Sequence, residues 1–313
     1  MPFTAKSGKF NASINAVEFG TGDKAVKIGG ENVFPLYSFD AAIENAPKVG
    51  IEITDFGMEH EPECIKKYYE GCATLADMAR KAASMEGVDF LSFRMEGGDP
   101  NGANKSTEEL IGELKEIADA VDLPLVVCGC KNVEKDAELF SKAAEALNGK
   151  NAVILSAKEE NYKTVGAAAG LAYKQVVGAE SAVDINLAKQ LNVLISQLGV
   201  DSKSVVMNVG TAAVGYGFEY VISTMDRVKA AALQQGDANL QMPIITPVAE
   251  EAWNVKEAMA SEDDMPEWGN QEARGIGMEV STAASVLACG SNAVILKHPT
   301  SVATISKLIK EMM

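Results

Sequence analysis

The pattern of hydrophobic and polar positions changes near residue 48. Residues 13–30 alternate between apolar and polar side chains on either side of a turn at residues 21–23, as a β-hairpin requires. Beyond residue 48, short apolar runs alternate with long stretches of helical periodicity. We therefore predict an N-terminal extension with a β-hairpin over residues 1–47, followed by one structural domain over residues 48–313.

Eight strand–helix units are predicted in the second part of the chain. The strand runs are apolar on both faces, which is typical of a parallel sheet covered by helices, and eight such units close into a (β/α)8 TIM barrel. The alternative is a doubly wound open sheet, which would usually carry a glycine-rich turn after an early strand, whereas the glycine-dense turn of this chain follows the sixth run. The predicted strands are residues 49–54, 88–93, 123–128, 152–155, 176–183, 204–209, 243–248 and 293–296, and the predicted helices are residues 67–86, 106–121, 132–147, 162–174, 186–198, 218–235, 270–287 and 302–312.

The charge of the chain excludes some classes of partner. Lys and Arg number 28 against 44 Asp and Glu, a formal net charge of −16, so nucleic acid would be repelled and is not expected as a partner. No stretch approaches the roughly 20 apolar residues that cross a bilayer. Residues 1–10 lack the basic start and apolar stretch of a signal peptide, so we expect a cytoplasmic protein without membrane association.

The five cysteines are dispersed. They lack the paired spacing of a zinc site and the clustered run of a ferredoxin. We predict reduced thiols that behave as small buried apolar residues. They are Cys64, Cys72, Cys128, Cys130 and Cys289.

Functional residues of such barrels lie just past the C-terminal ends of the strands. The polar residues that follow each apolar run are therefore the candidates. They are Asp55 and Glu59, Arg94, Glu96 and Asp99, Cys128 and Cys130, Ser156 and Lys158, Asp184, Asn208 and Thr211, Thr246 and Glu250, and Lys297 and His298.

Two pairs of residues have both functional and structural interpretations. Asp55 and Arg94 follow adjacent strands, where they either orient a substrate or satisfy each other's charge as an ion pair. His60 and His298 follow the first and eighth strands, which are neighbours in a closed barrel. A weak metal site with two histidine ligands is therefore the functional interpretation of this pair. No Gly-x-Ser-x-Gly turn accompanies either histidine, which disfavours a Ser–His–Asp hydrolase.

Two connections are unusual. The loop at residues 208–217 has repeated glycines, which either form a turn into the next helix or allow close approach of a flat ligand, with Tyr216 available for stacking. The connection at residues 250–268 is long enough to suggest a functional segment or a partner surface, and its acidic run at residues 262–264 is typical of a solvated face.

The chain resembles the small (delta-type) subunit of the corrinoid iron–sulfur protein of anaerobic acetyl-CoA synthesis along essentially its whole length. The segments that carry the likeness are VFPLY at residues 33–37, EITDFGM at 52–58, NVGTAAVGYG at 208–217, PIITPVAEE at 243–251 and NQEARGIG at 270–277.

The resemblance implies a TIM barrel that pairs with a large subunit carrying a 4Fe–4S cluster and cobalamin, and whose mouth covers the corrinoid. It also implies a methyl carrier that receives its methyl group from methyltetrahydrofolate through a separate methyltransferase and passes it to acetyl-CoA synthase/CO dehydrogenase. This chain has neither clustered cysteines nor an Asp-x-His-x-x-Gly sequence, so we expect no metal ligand and no catalytic residue in it. The candidate corrinoid contacts, chosen from the strand ends and the glycine loop, are Asn208, Gly210, Thr211, Tyr216, Asp184, Arg94, Asp55 and Thr246.

Two enzyme hypotheses are the alternatives. One is a pterin-dependent methyltransferase that binds methyltetrahydrofolate inside the barrel through Asp184 and Asn208. The other is a barrel lyase or aldolase that forms a Schiff base at Lys158 or Lys297.

Overall fold

The computed structural model describes residues 8–313. An antiparallel hairpin of β1 (Val17–Phe19) and β2 (Val26–Ile28) opens the described chain, with Val17 paired to Ile28. The hairpin prediction is confirmed, but the two strands are shorter than the alternating pattern suggested, because a short 3-10 helix at Gly22–Lys24 occupies the turn.

Eight parallel strands then close into a barrel in the order of the chain. The last strand pairs with the first, with Leu296 beside Ile51, so the sheet has no open edge. The predicted TIM barrel is therefore confirmed. Its strands are β3 (Lys48–Thr54), β4 (Phe90–Arg94), β5 (Leu125–Cys128), β6 (Val153–Ala157), β7 (Val176–Glu180), β8 (Val205–Asn208), β9 (Ile244–Pro247) and β10 (Ser291–Leu296).

Helices follow the strands and surround the barrel. No helix of residues 8–313 is long and apolar enough to cross a membrane. The α-helices are α1 (Glu63–Lys66), α2 (Leu75–Ala83), α3 (Thr107–Ala120), α4 (Val133–Ala146), α5 (Tyr162–Val165), α6 (Ile185–Gln197), α7 (Phe218–Leu233), α8 (Val248–Ala252), α9 (Lys256–Met259), α10 (Gln271–Cys289) and α11 (Pro299–Met312), and a π-helix at Gly166–Ala172 continues α5.

Two of the predicted elements differ from the structure for an identifiable local reason. The helix predicted at residues 67–86 begins at Leu75, because Thr74 and Asp77 form a reciprocal capping box and Gly71, at φ +83°, interrupts the preceding turn. The strand predicted to end at residue 183 ends at Glu180. Its continuation is blocked by two consecutive residues with positive φ, Ala182 at +44° and Val183 at +60°.

The hairpin closes the N-terminal end of the barrel. Its apolar residues form one buried cluster with the side chains that point into the barrel from the strands, and the Phe19 ring meets the Phe90 ring edge to face at 5.5 Å. The Phe90 ring lies against Gly50, so closely that a Cβ atom at Gly50 would be 2.1 Å from the ring. The opposite, C-terminal end is therefore the open mouth.

A buried polar cluster also joins the N-terminal extension to the barrel. Lys229 of α7 donates to Glu31 Oε1 at 3.1 Å and to Asn292 Oδ1 at 2.9 Å, and Asn292 Nδ2 donates to the same Glu31 oxygen at 2.8 Å. Burial alone would raise the pKa of Glu31, but the charge of Lys229 and the hydrogen bonds outweigh it and hold the pKa below its usual range. The boundary between residues 47 and 48 stays a prediction.

Candidate functional site

A cavity of about 320 Å³ lies at the open mouth. Its wall is built from the ends of six consecutive strands, because side chains that alternate along each strand point inwards near the mouth. The residues at these ends are Arg94, Cys128, Ser156, Glu180, Asn208 and Pro247.

One side of the cavity is a hydrogen-bonded polar cluster. Asn208 Nδ2 donates to Ser156 Oγ at 3.0 Å, and Ser156 Oγ donates to Glu180 Oε2 at 3.1 Å. The other oxygen of Glu180 pairs with Lys158 at 3.2 Å. Asn208 Oδ1 accepts from the amide of Gly210 at 3.0 Å, which ties the start of the glycine loop to the cavity wall.

The other side of the cavity is a buried charge network. Arg94 donates through Nε and Nη2 to Glu52 Oε2 at 3.1 and 3.0 Å, and its Nη1 lies 3.0 Å from Glu250 Oε2. Lys131 reaches the second oxygen of Glu250 at 2.5 Å. Neither interpretation of Asp55 with Arg94 as a pair agrees with the structure, because Arg94 points into the barrel with Glu52, whereas Asp55 lies one residue beyond the strand and faces the opposite side.

Asp55 has a structural role on that opposite side. Its two carboxylate oxygens accept from the amide of Gly97 at 2.9 and 3.1 Å, and Lys105 pairs with it at 3.0 Å. A Cβ atom at Gly97 would lie 2.2 Å from Asp55 Oδ2, so this turn requires glycine. The carboxylate is fully buried here and does not line the cavity.

Three other predicted contacts lie outside the cavity wall. Thr246 is buried, with its hydroxyl 2.8 Å from Ser291 Oγ. Asp184 is the N-cap of α6 and accepts from the amides of Asn186 and Leu187. Tyr216 is half-exposed and donates to Glu257. Of the eight predicted residues, the cavity wall contains Arg94, Asn208, Gly210 and Thr211.

Cys128 lines the cavity but is not a ready nucleophile. Burial raises the pKa of its thiol to about 12, and burial likewise raises the pKa of Cys130 to about 12. Both thiols are therefore protonated at neutral pH. All five cysteines lie in the described chain as free thiols. Cys128 and Cys130 are buried, as predicted, whereas Cys64, Cys72 and Cys289 are only half-buried.

The two histidines have separate surroundings. The His298 ring is buried, stacks on Trp253 at 5.8 Å and accepts through Nδ1 from the Thr300 amide at 3.1 Å, while the His60 ring packs edge to face on Phe56 at 4.5 Å. Within residues 8–313, no group of three or more His, Cys, Asp or Glu side chains is placed to hold a metal ion. The geometry gives no support to a two-histidine site.

The lysines proposed for a Schiff base are engaged in ion pairs. Lys297 lies 2.7 Å from Glu61. Burial alone would lower the pKa of Lys297, but Glu61 and Glu52 together outweigh burial and raise the pKa, whereas an amine nucleophile needs a lowered value. Lys158 is paired with Glu180.

Three charged residues of the ion pairs described above were missed from the sequence. Glu52 lies inside an apolar strand, and a lone charged residue in such a run was the available signal. Glu180 was overlooked because the predicted strand ran past it to residue 183. Lys131, which has a positive φ of +69°, carried no local signal for its contact with Glu250.

The ionisation of Glu250 makes the stability of the folded protein depend on pH. Burial alone would raise its pKa, but the charges of Arg94 and Lys131 outweigh burial and hold the pKa below its usual range. A carboxylate with a lowered folded-state pKa stabilises the fold above its unfolded pKa, and this stabilisation is lost as the pH falls through the folded value.

We expect Glu250→Gln to lower the free energy of unfolding at pH 7 by about 1–3 kcal/mol, because the variant loses a charge-assisted contact with Arg94. The deficit should shrink below about pH 4.5, the ordinary value for this group, since wild-type Glu250 also becomes neutral there. Urea titrations at pH 7, 5 and 3.5 measure both effects. Glu251→Gln is the matched control, because Glu251 is more exposed and lies 3.6 Å from Lys131; a deficit of Glu250→Gln that does not change with pH would contradict the assignment.

Solved structures with the same architecture include dihydropteroate synthases. The enzyme of Vibrio fischeri aligns over 95% of this chain and 98% of its own, with a TM-score of 0.56 and 11% identity. The enzyme of Thermus thermophilus, solved with 4-aminobenzoate, aligns over 95% of this chain and 100% of its own, with a TM-score of 0.55 and 12% identity. At these identities the likeness concerns the fold alone.

Relatives with recognisable sequence identity include delta subunits of the acetyl-CoA decarbonylase/synthase complex. The Methanothermobacter thermautotrophicus subunit is 32% identical over 306 residues, which is 97% of this chain and 76% of the relative. The Methanosarcina thermophila delta 1 subunit is 30% identical over 299 residues, which is 94% of this chain and 67% of the relative. The family model of the CO dehydrogenase/acetyl-CoA synthase delta subunit matches residues 16–299. The family predicted from the sequence is thereby confirmed, and the chain belongs to the delta subunits of CO dehydrogenase/acetyl-CoA synthase.

Proposed function

We propose that this chain is the small subunit of a heterodimeric corrinoid iron–sulfur methyl carrier, and that its barrel mouth covers the cobalamin held by the large subunit. The observation that carries the proposal is the open mouth of a delta-family barrel. It holds a small polar cavity, and exposed apolar side chains lie on the cavity wall and in the segments that follow β8 and β9 at the same end of the barrel. These side chains, called the apolar rim below, are Val183, Tyr216, Tyr220 and Met259.

The size of the cavity favours covering over enclosure. A volume of about 320 Å³ is at the lower end for pockets of small-molecule ligands and far below the size of a cobalamin. A corrin would lie across the mouth against the apolar rim, and one of its amide side chains would enter the cavity. The donors and acceptors of Asn208, Ser156 and Glu180 suit such an amide.

The charged side chains at the cavity are also compatible with a barrel that covers the corrinoid. Arg94, Glu52, Glu250, Lys131, Lys158 and Glu180 satisfy one another in ion pairs. When bound, the corrinoid would supply a cobalt centre that takes up the methyl group in its +1 state and returns to that state when the methyl group leaves. The side chains of this chain exclude water from that centre and hold the corrin in place, and none of them takes part in a bond-forming step.

The proposed partners follow from the family. They are the large corrinoid subunit with its 4Fe–4S cluster, a methyltransferase that uses methyltetrahydrofolate, and acetyl-CoA synthase/CO dehydrogenase, in the reductive acetyl-CoA pathway. A cytoplasmic location remains a prediction from the sequence.

The test measures corrinoid release from the loaded large subunit with and without this chain. Wild-type chain should slow release, and Gly210→Val should reverse part of that effect. Gly210 has φ +84°, and a Cβ atom there would lie 3.4 Å from Ala182 Cα, so valine distorts the loop and the mouth. If the variant folds and protects the corrinoid as well as wild type does, the corrinoid does not lie against this loop and the proposed location of the site is wrong.

Gly236→Val is the matched control. Gly236 also has a positive φ, +67°, but it follows α7, and a Cβ atom there would meet no other part of the described chain within 4 Å. Both variants should lose a similar amount of stability from the strained backbone. Their corrinoid release rates should nevertheless differ.

The pterin-dependent methyltransferase is the competing function. Asn208 lies in the cavity as that hypothesis requires, but the carboxylate beside it is Glu180, and Asp184 caps α6 instead. Titration of the isolated chain with methyltetrahydrofolate separates the two functions. Saturable binding without the large subunit would favour the methyltransferase.

A further inference from the structure

Left-handed backbone is concentrated at the cavity. Seven non-glycine residues between 8 and 313 have positive φ. Three of them, Lys131, Ala182 and Val183, line the cavity. Val183 is the most unfavourable of these, because a β-branched side chain at φ +60° crowds its own backbone.

The surrounding structure holds Val183 in this conformation. Its amide donates to the carbonyl of Val209 at 2.7 Å, and its carbonyl accepts from the buried hydroxyl of Thr224 at 3.0 Å. A Cβ atom at Gly210 would lie 3.4 Å from Ala182 Cα and from the Val183 nitrogen, so the start of the glycine loop packs directly against this backbone. The backbone is therefore fixed from two neighbouring elements, β8 with its loop and α7.

Packing does not explain why valine occupies this position. The residue is 39% exposed, and glycine would adopt the same backbone conformation without steric cost. An exposed apolar side chain on a strained and rigid backbone is a pattern found at ligand-binding sites, where strain is retained because it aims a side chain.

We propose that Val183 is a contact residue for the corrinoid, and that the left-handed turn at Ala182–Val183 aims its isopropyl group at the face of the corrin across the mouth. The inference rests on the proposed function. β-Branching restricts the side chain to few rotamers, so the group meets the ligand without losing side-chain freedom on binding.

The test compares Val183→Gly with Lys174→Gly in the heterodimer. Lys174 precedes β7 at the closed end of the barrel and has a similar φ of +53°, whereas Val183 follows β7 at the open end. Both substitutions relieve a left-handed non-glycine residue, so both should leave Tm unchanged or raise it by up to about 3 °C. Val183→Gly should speed corrinoid release about threefold to tenfold, the loss expected for an apolar contact of this size, and Lys174→Gly should not change the rate.

Val183→Ala separates the side-chain contact from the constraint on the backbone. Alanine keeps a Cβ atom and lacks the two methyl groups, so it should also speed release. A wild-type release rate in Val183→Ala, or a fall in Tm in Val183→Gly, would overturn the inference, because either result would assign Val183 a role in the fold.

Wild-type controls distinguish failure of this inference from failure of the proposed function. If wild-type chain does not slow corrinoid release from the large subunit, the covering function itself fails. If wild-type chain slows release and Val183→Gly slows it equally, only the role of Val183 is refuted.

Discussion

Lys229→Met is expected to lower the free energy of unfolding by about 3–5 kcal/mol, because it leaves the buried carboxylate of Glu31 without its cation. The side chains of this pair are 1% and 6% exposed, so water cannot replace the missing charge. The deficit should decrease at acidic pH, since the wild-type protein loses the stabilisation as Glu31 is protonated below its ordinary pKa of about 4.5. Urea unfolding at pH 7 and pH 4 measures both effects.

Two further variants make this expectation specific. Lys142→Met removes an exposed partner of Glu145 at 3.0 Å and should cost less than about 1 kcal/mol. The double variant Glu31→Leu with Lys229→Met should recover much of the loss, because it removes both charges together. A loss in Lys229→Met no larger than that in Lys142→Met would mean that the extension is not anchored by this pair.

Arg94→Leu should have a comparable effect at the other end of the barrel, with a loss of about 3–5 kcal/mol. Arg94 is the cation for Glu52, whose side chain is 1% exposed, and it also neutralises Glu250. Glu250 keeps Lys131 as a partner in the variant, so the cost arises mainly from Glu52. Chemical unfolding monitored by circular dichroism measures the loss.

Arg80→Leu is the matched control, since Arg80 pairs with Asp77 at 2.6 Å on the exposed face of α2 and should lose less than about 1 kcal/mol. Adding Glu52→Gln to Arg94→Leu should restore part of the stability. If that second substitution deepens the loss, Glu52 is held by groups other than Arg94, and the charge network has been assigned wrongly.

Periodicity along the chain predicts most of the barrel because its signal is local. A run such as residues 49–54 is apolar on both faces whatever surrounds it, and repeated alternation with helical stretches leaves few architectures open. The errors occur where capping or left-handed backbone interrupts a pattern, at Thr74 before α2 and at Ala182–Val183 after β7.

The candidate site was predicted in outline and incompletely in its residues. Arg94, Asn208, Gly210 and Thr211 line the cavity, as their positions after the strands implied. Asp184 has the same kind of position but caps a helix, because an aspartate just before a helix finds free amides within two or three residues.

The sequence by itself determined the strand–helix order and the family, favoured the closed barrel over an open sheet, and predicted the candidate site at the C-terminal ends of the strands, because these depend on local patterns and on motifs contiguous in the chain. Tertiary structure alone decided which charges meet. Thr54 is paired with Arg94 in the sheet, and this register places Glu52 on the same inner face as the Arg94 guanidinium. Asp55 is the residue after Thr54, and its side chain points to the other face, where it contacts Gly97 and Lys105. Side chains alternate between the two faces of a strand, so a shift of one residue moves a carboxylate from the cavity to the outer layer. Which residues of neighbouring strands point inwards together is set only when the strands pair in the closed barrel.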